Sequence, residues 1–278
     1  MESCLYSCRV LADSVNISGV RLTTMEVTFP RFMLAEFNTH RMLSRNSASS
    51  RAIPVEKIIS RVTDGPFVPK YWGKNQKGMQ AHQELTPEQA VDACRVWLEA
   101  RDSALQKAKE LLEIGVHKQL ANRLLEPFLW QTVIVTATDW DNFFGLRCHP
   151  DAQPEFQMIA TMMWESLNAS APTLLQDGEW HLPLVTLDEK VEVAAIAGAV
   201  NLPRVSAGRC ARVSYLTHDG RRDVGEDIRL CDRLIASGHM SPMEHPAMAE
   251  SESRRHVGNF RGWIQLRKTI NNESVFKG

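Results

Sequence analysis

The segment Asn38-Thr39-His40-Arg41-Met42-Leu43-Ser44-Arg45-Asn46-Ser47-Ala48-Ser49-Ser50-Arg51 constrains this chain more than any other. It concentrates three guanidiniums, an imidazole, two amides and five hydroxyls directly after an apolar run that can anchor it. Arginine offers a planar fork to phosphate and hydroxyls add directional bonds, so this density of donors suits an anionic ligand. A polar surface loop has the same composition, and composition alone leaves both readings open.

The rest of the chain narrows the ligand. A formal net charge of -1 gives no long-range field favouring nucleic acid or an anionic membrane, so anion binding must come from local clusters. That points to a small molecule rather than a polymer. The basic residues Arg254, Arg255, Arg261, Arg267 and Lys268 near the C-terminus read as a solvated face. The six cysteines are scattered without a Cys-x-x-Cys pair, which fits a reducing cytoplasm and no structural zinc. His239, Glu244 and His245 do not match a zincin spacing, and Pro242 interrupts any helix that would align them, so no metal is expected. No basic n-region precedes an apolar h-region and no apolar stretch approaches bilayer length, so the expected protein is soluble and unprocessed.

At 278 residues and 44% apolar content the chain can bury a large core, and no Gly- or Ser-rich linker divides it, so a single domain over 1–278 is expected. Met25, Val27 and Phe29 alternate as in a strand, and Phe32 to Phe37 after Pro30 can start a helix. Residues 54–80 read as a long surface loop, either a lid over a ligand or a plain excursion. Thr86, Pro87 and Gln89 form a capping box, followed by Val91, Cys94, Leu98, Leu105, Ala108 and Leu112 at helical spacing and a stop at Gly115. A shorter helix over His117 to Leu125 carries Lys118, Asn122 and Arg123. Thr132 to Ala137 reads as a strand or buried segment, and Pro154 opens a helix whose Met162, Met163 and Trp164 read as core. Asp188 is expected to cap an Ala/Val helix ending before Pro203, Ser206 to Val213 is a short ordered piece, and Asp223 caps a helix closed by Gly238. Strands and helices together give an α/β or α+β fold class.

Three blocks together resemble the flavin-dependent thymidylate synthases. That family's hallmark is Arg-His-Arg-x-x-Ser-x-Asn-x-x-Ser-x-Arg-Tyr, and the chain matches it at His40, Arg41, Ser44, Asn46, Ser49 and Arg51. Arg123 before Pro127, then Asn142-Phe143-Phe144-Gly145-Leu146-Arg147, then Ala152-Gln153-Pro154-Glu155 follow in family order. The third block is displaced: Ala211-Arg212-Val213-Ser214-Tyr215 and Gly238-His239-Met240-Ser241-Pro242-Met243-Glu244-His245 open members of the family but lie near the C-terminus here. A circular permutation, with the family's N-terminal segment at about 206–275, accounts for this order, since termini usually lie close together at the surface.

The resemblance implies the family fold, a mixed sheet flanked by helices, together with an FAD cofactor and methylation of dUMP to dTMP, with methylenetetrahydrofolate and NADPH as co-substrates. It implies a homotetramer with shared sites and no covalent protein nucleophile, although His149 follows Cys148. Carried over position by position, His40, Arg41, Ser44, Asn46, Asn142, Ser214, His239 and Ser241 hold flavin. Side chains can polarise a uracil ring, whereas the carbon and the hydride must come from cofactors. Arg147, Arg123, Arg51 and Ser49 are the groups suited to clamp a nucleotide phosphate and to stabilise charge on the uracil oxygens.

The chain also departs from the hallmark, with Thr39 for its first Arg, Ser47 for the acidic residue and Ala52 for the closing Tyr. Gln265-Leu266-Arg267 followed by Asn272-Glu273 looks like a worn second copy of the motif, so Gln265 and Arg267 are expected to supply what Thr39 lacks. Two alternatives stay open: a related pyrimidine nucleotide hydroxymethylase, and a non-catalytic flavin- or nucleotide-binding protein.

Overall fold

Side chains that alternate apolar and polar along an extended chain give a sheet two unlike faces, and that alternation builds the centre of this molecule. In the computed structural model, which describes residues 5–215, 223–252, 256–271 and 273, strand β1 (Ser7–Asn16) turns into β2 (Arg21–Pro30). Gly19 adopts φ +80° in that turn, a left-handed conformation that costs glycine little. Pro30 ends β2, and a 3-10 turn leads into the single-turn helix α1 (Leu34–Phe37). Next come β3 (Ser44–Ser47), α2 (Val55–Asp64), α3 (Pro87–Glu113), α4 (Lys118–Ala121) and a 3-10 helix over Asn122–Phe128. Strand β4 (Trp130–Ala137), α5 (Asp141–Arg147), α6 (Pro154–Ala169), β5 (Thr173–Leu175) and β6 (Trp180–His181) follow. The remaining helices are α7 (Leu187–Ala197), α8 (Leu202–Tyr215) and α9 (Val224–Ala236). After a 3-10 turn at Ser241–Glu244 come the short strands β7 (Ala247–Ala249), β8 (His256–Val257), β9 (Phe260–Arg261) and β10 (Trp263–Gln265), followed by a 3-10 turn at Leu266–Thr269.

The main sheet has the order β3-β4-β2-β1-β5, antiparallel except for the parallel β1–β5 pair, so it is mixed as expected. Met25, Val27 and Phe29 of β2 and Val133, Val135 and Ala137 of β4 face α5 and α6, where they pack on Phe143, Phe156, Ile159 and Met163. The other face carries the cross-strand pairs Thr24–Thr136 and Thr28–Thr132, with hydroxyl contacts of 2.8 and 2.9 Å. Ile134 on that face packs on Cys210 and Val213 of α8. Helices thus cover both faces. A second sheet, β10-β7-β6, packs Trp263, Ala247 and Ala249 on Leu22.

Helices α8 and α9 cross closely because residue 208 is glycine: a Cβ there would stand 2.2 Å from the Asp227 carbonyl oxygen. Asp227, fully buried, accepts bonds from Arg209 Nε at 3.1 Å and Arg212 Nε at 2.7 Å. Two guanidiniums around one carboxylate meet the condition for burying charge.

Several local expectations need correction. The centre of the 38–51 segment is strand β3 rather than loop throughout, because β4 offers it a free edge. The Ala/Val helix is capped at Thr186, whose N–H and hydroxyl both reach Glu189, rather than by Asp188. Pro203 sits in the first turn of α8, where a missing N–H is harmless, so Ser206 to Val213 belongs to a full helix. Val91 and Trp164 are 70% and 49% exposed, so neither is core. No helix of the described residues is long and apolar enough to cross a membrane.

A buried polar chain ties the two sheets together. Ser14 Oγ lies 2.8 Å from His181 Nδ1, His181 Nε2 lies 2.8 Å from Thr24 Oγ1, and Thr136 Oγ1, bonded to Thr24, lies 2.8 Å from His245 Nδ1. Burial pushes both imidazoles down to about 3. An unfolded chain binds these protons near pH 6.5, so between the two values the unfolded state holds more protons and stability falls as pH falls. The urea midpoint is therefore expected to drop from pH 7 to pH 5. His181→Asn should flatten that slope while lowering stability at pH 7, and an unchanged slope contradicts the assignment.

Candidate active site

Strand β3 presents its side chains alternately, and each side has a different partner. Ser44 and Asn46 are buried. Ser44 Oγ accepts from Gln265 Nε2 at 2.9 Å and Asn259 Nδ2 at 3.1 Å. Asn46 donates to the Cys210 carbonyl at 2.8 Å and lies 3.5 Å from Ser241 Oγ. The hallmark strand is thus joined to α8, to the turn at 241–244 and to the end of β10, all from the C-terminal part of the chain. On the opposite side Arg45 donates to the carbonyls of His40 and Phe37. Burial draws its guanidinium downward while the Glu244 carboxylate draws it upward.

Where β3 runs out, a cavity of about 420 Å³ opens, a size suited to a nucleotide. Asn46, Ser47, Ser49, Arg51 and Ala52 form one wall, and Leu234, His239, Ser241 and Pro242 form another. His117 and Gln119 close a third side. Arg51 is exposed and has no ion-pair or hydrogen-bond partner among the described residues, which leaves its fork free for an anion. His239 Nδ1 lies 2.9 Å from Ser237 Oγ. His117 Nδ1 accepts the Gln119 N–H at 3.3 Å, which puts the proton of a neutral ring on Nε2 and makes that edge a donor. Five expected residues, Asn46, Ser49, Arg51, His239 and Ser241, therefore share one cavity. Two of the three departures from the hallmark, Ser47 and Ala52, line it too.

A second group of expected residues lies apart from the cavity lining. Arg147 Nε donates to His40 Nε2 at 2.8 Å, and its guanidinium sits 4.4 Å from the centre of the Phe156 ring, within cation–π range. His40 packs edge-on against Phe143 and Phe156. Burial, reinforced by Arg147 and Arg45, holds His40 down to about 4, so it is neutral at physiological pH and accepts from Arg147. Glu36 lies 3.8 Å from Arg147. Arg41 and Asn142 are exposed nearby in sequence, without hydrogen-bond or ion-pair partners among the described residues.

Arg123 Nη1 is bound to Glu126 at 2.7 Å, outside the cavity lining. Gln265 reaches the hallmark strand through Ser44, but Arg267 is engaged by Glu244 at 2.6 Å and Glu273 at 2.8 Å. Asn272, Arg254, Arg255 and the side chain of Ser214 lie outside the described residues. His117 and Gln119 escaped sequence reading because they fill a helix start; the signal that could have found them is a histidine standing where Ser, Thr, Asp or Asn normally caps.

The two echo residues should differ when removed. Gln265 is buried and donates to both Ser44 Oγ and the Glu244 carbonyl, so Gln265→Ala should cost about 1–3 kcal/mol in urea unfolding. Arg267→Ala breaks half-exposed ion pairs and should cost about 1 kcal/mol or less. The reverse order would contradict this placement.

The chain matches the sequence profile of the thymidylate synthase complementing proteins over residues 21–173. No curated protein matches it by sequence. Among solved structures it is similar to a UMP/dUMP methylase, PolB from Streptomyces cacaoi, bound with 5-Br UMP, at 18% identity over 58% of this chain and 89% of that one with a TM-score of 0.49. It is likewise similar to the same methylase bound with 5-Br dUMP, at 17% identity over 58% and 90% of the two chains with a TM-score of 0.49. With the profile running from the first residue of β2 through β3, β4, α5 and α6, this chain belongs to the thymidylate synthase complementing protein family, the flavin-dependent thymidylate synthases.

Proposed function

We propose that the protein methylates dUMP to dTMP, taking carbon from methylenetetrahydrofolate, with FAD as cofactor and NADPH as reductant. The observation that carries this reading is the cavity whose walls join residues 46–52 to residues 239–242, two blocks that are far apart in sequence. Arg51 offers an unpaired guanidinium and Ser49 a hydroxyl at one wall, and His239 and Ser241 face them from the other. A nucleotide phosphate satisfies such a set. The same union supports the permuted order: the segment at about 206–275 bonds the hallmark strand through Cys210, Ser241, Asn259 and Gln265, as neighbouring parts of one domain would.

The donor set also fits FAD in character. Asn46, His239 and Ser241 line the cavity and Arg41 and Asn142 are exposed, so these five would hold a dinucleotide's phosphates and ring carbonyls. Ser44 and His40 are committed to Gln265, Asn259 and Arg147, so they orient the wall rather than touch the cofactor. When bound, reduced FAD supplies the hydride. This chain's residues bind the nucleotide phosphate at Arg51 and Ser49 and place Arg147, oriented by neutral His40 and the Phe156 ring, for the uracil oxygens. Arg147 lies outside the lining of this cavity, and the shared sites of a homotetramer are what the family resemblance implies.

Ser47 and Ala52 stand in the cavity wall where the family places an acid and a phenol, and this favours one second reading, a related hydroxymethylation of the same nucleotide. Incubation of the purified protein with C5-tritiated dUMP, methylenetetrahydrofolate, FAD and NADPH separates the two. Tritium release with dTMP as product is expected; a hydroxymethylated product selects the second reading, and no release overturns both. Arg51→Ala should weaken dUMP binding by about tenfold or more, the loss of a charge-assisted bond, in a calorimetric titration.

A further inference from the structure

Ser49 and Arg51 sit on a turn between β3 and α2 whose own backbone supplies one bond, from the Ala52 N–H to the Ser49 carbonyl at 2.9 Å. The other bonds that fix it come from behind. Side chains alternate: Ala48 and Ser50 turn inward and are 5% and 1% exposed, while Ser49 and Arg51 face the cavity. The Ala48 carbonyl accepts from Gln131 Nε2 at 3.1 Å and Arg31 Nη1 at 3.2 Å, and Ser50 Oγ donates to Glu126 Oε1 at 2.5 Å. Asn122 Nδ2 then donates to the carbonyls of Ser50 at 2.8 Å and Ile53 at 3.1 Å, which bracket Arg51.

Asn122 is fully buried, and its Oδ1 has no partner among the described residues. A buried amide that is satisfied on one side only is a net cost to stability, and packing alone would be served better by an apolar residue. Its two bonds both go to the loop that carries Ser49 and Arg51. We propose that Asn122 is a positioning residue, holding the Ser50–Ile53 backbone so that Arg51 meets the ligand of the cavity in a fixed direction. This rests on the reading of that cavity as a nucleotide site. Preorganisation of this kind lowers the ordering cost of binding without touching the ligand.

A double-mutant cycle tests it with dUMP as the probe: wild type, Arg51→Ala, Asn122→Ala and the double variant, each titrated calorimetrically as full-length protein. If Asn122 acts through Arg51, each single variant binds dUMP about tenfold or more weakly, and the double variant binds no more weakly than Arg51→Ala alone. An unchanged affinity in Asn122→Ala, or losses that multiply in the double variant, overturns the proposal. Hydrogen exchange on the unliganded variants gives a second readout that does not need the nucleotide reading. Asn122→Ala should speed exchange in the peptide spanning 48–53 and leave β4 unchanged; equal protection there, or uniform loss across the chain, overturns the positioning role. Wild-type protein that fails to bind dUMP while the exchange result holds would instead sink the nucleotide assignment. Asn122→Ser, which keeps a shorter polar group, serves for both measurements if the alanine variant does not fold.

Discussion

Everything at this site depends on strand β3 pairing with the edge of β4. The register that sets Ser44 against Thr136 and Asn46 against Ile134 fixes which side chains turn toward the C-terminal segment and which turn away. A slip of one residue would send Ser44 and Asn46 to the other face and break their bonds to Gln265, Asn259 and Cys210. The same register puts the end of the strand, and therefore Ser49 and Arg51, at the mouth of the cavity. A ladder of ordinary backbone bonds thus aligns two parts of the chain separated by most of its length.

Charge is distributed around that junction with an economy that shapes function. Glu244 meets Arg267 directly and partly offsets the burial that draws the Arg45 guanidinium downward, so one carboxylate serves cations from both ends of the chain. Arg147 is held by a neutral histidine and an aromatic face, with the Glu36 carboxylate 3.8 Å away. Glu126 accepts from Arg31, Ser50 and Arg123, which draws Arg123 away from the cavity and fixes the loop instead. Arg51 alone of the cavity-lining residues brings an unpaired guanidinium.

Much of this was legible in the residues and some of it was not. The alternation in β2, the capping box at Thr86 and the proline that opens α6 are local signals, and each produced the element it announces. Membership of the family was legible because blocks at His40 to Arg51, Asn142 to Arg147 and Ala152 to Glu155 keep their order. Strand β3 was not, since four polar residues form a strand only when a neighbour supplies an edge. The clamp at Asn122 was invisible for a similar reason: an asparagine inside a short helical segment gains meaning only from carbonyls about seventy residues away. Arg123 and Arg267 matched motif positions, yet nearby carboxylates engage both.

On the proposed reading, the pyrimidine nucleotide sits in the cavity joining residues 46–52 to 239–242. Photo-crosslinking with 5-iodo-dUMP, followed by mass spectrometric mapping of the adducts, tests it most directly. Adducts within 46–52, 117–119 and 239–242, suppressed by excess dUMP, are expected. Adducts confined to another part of the surface, such as the aromatic groove around Tyr71, Trp72 and Trp97, would contradict it.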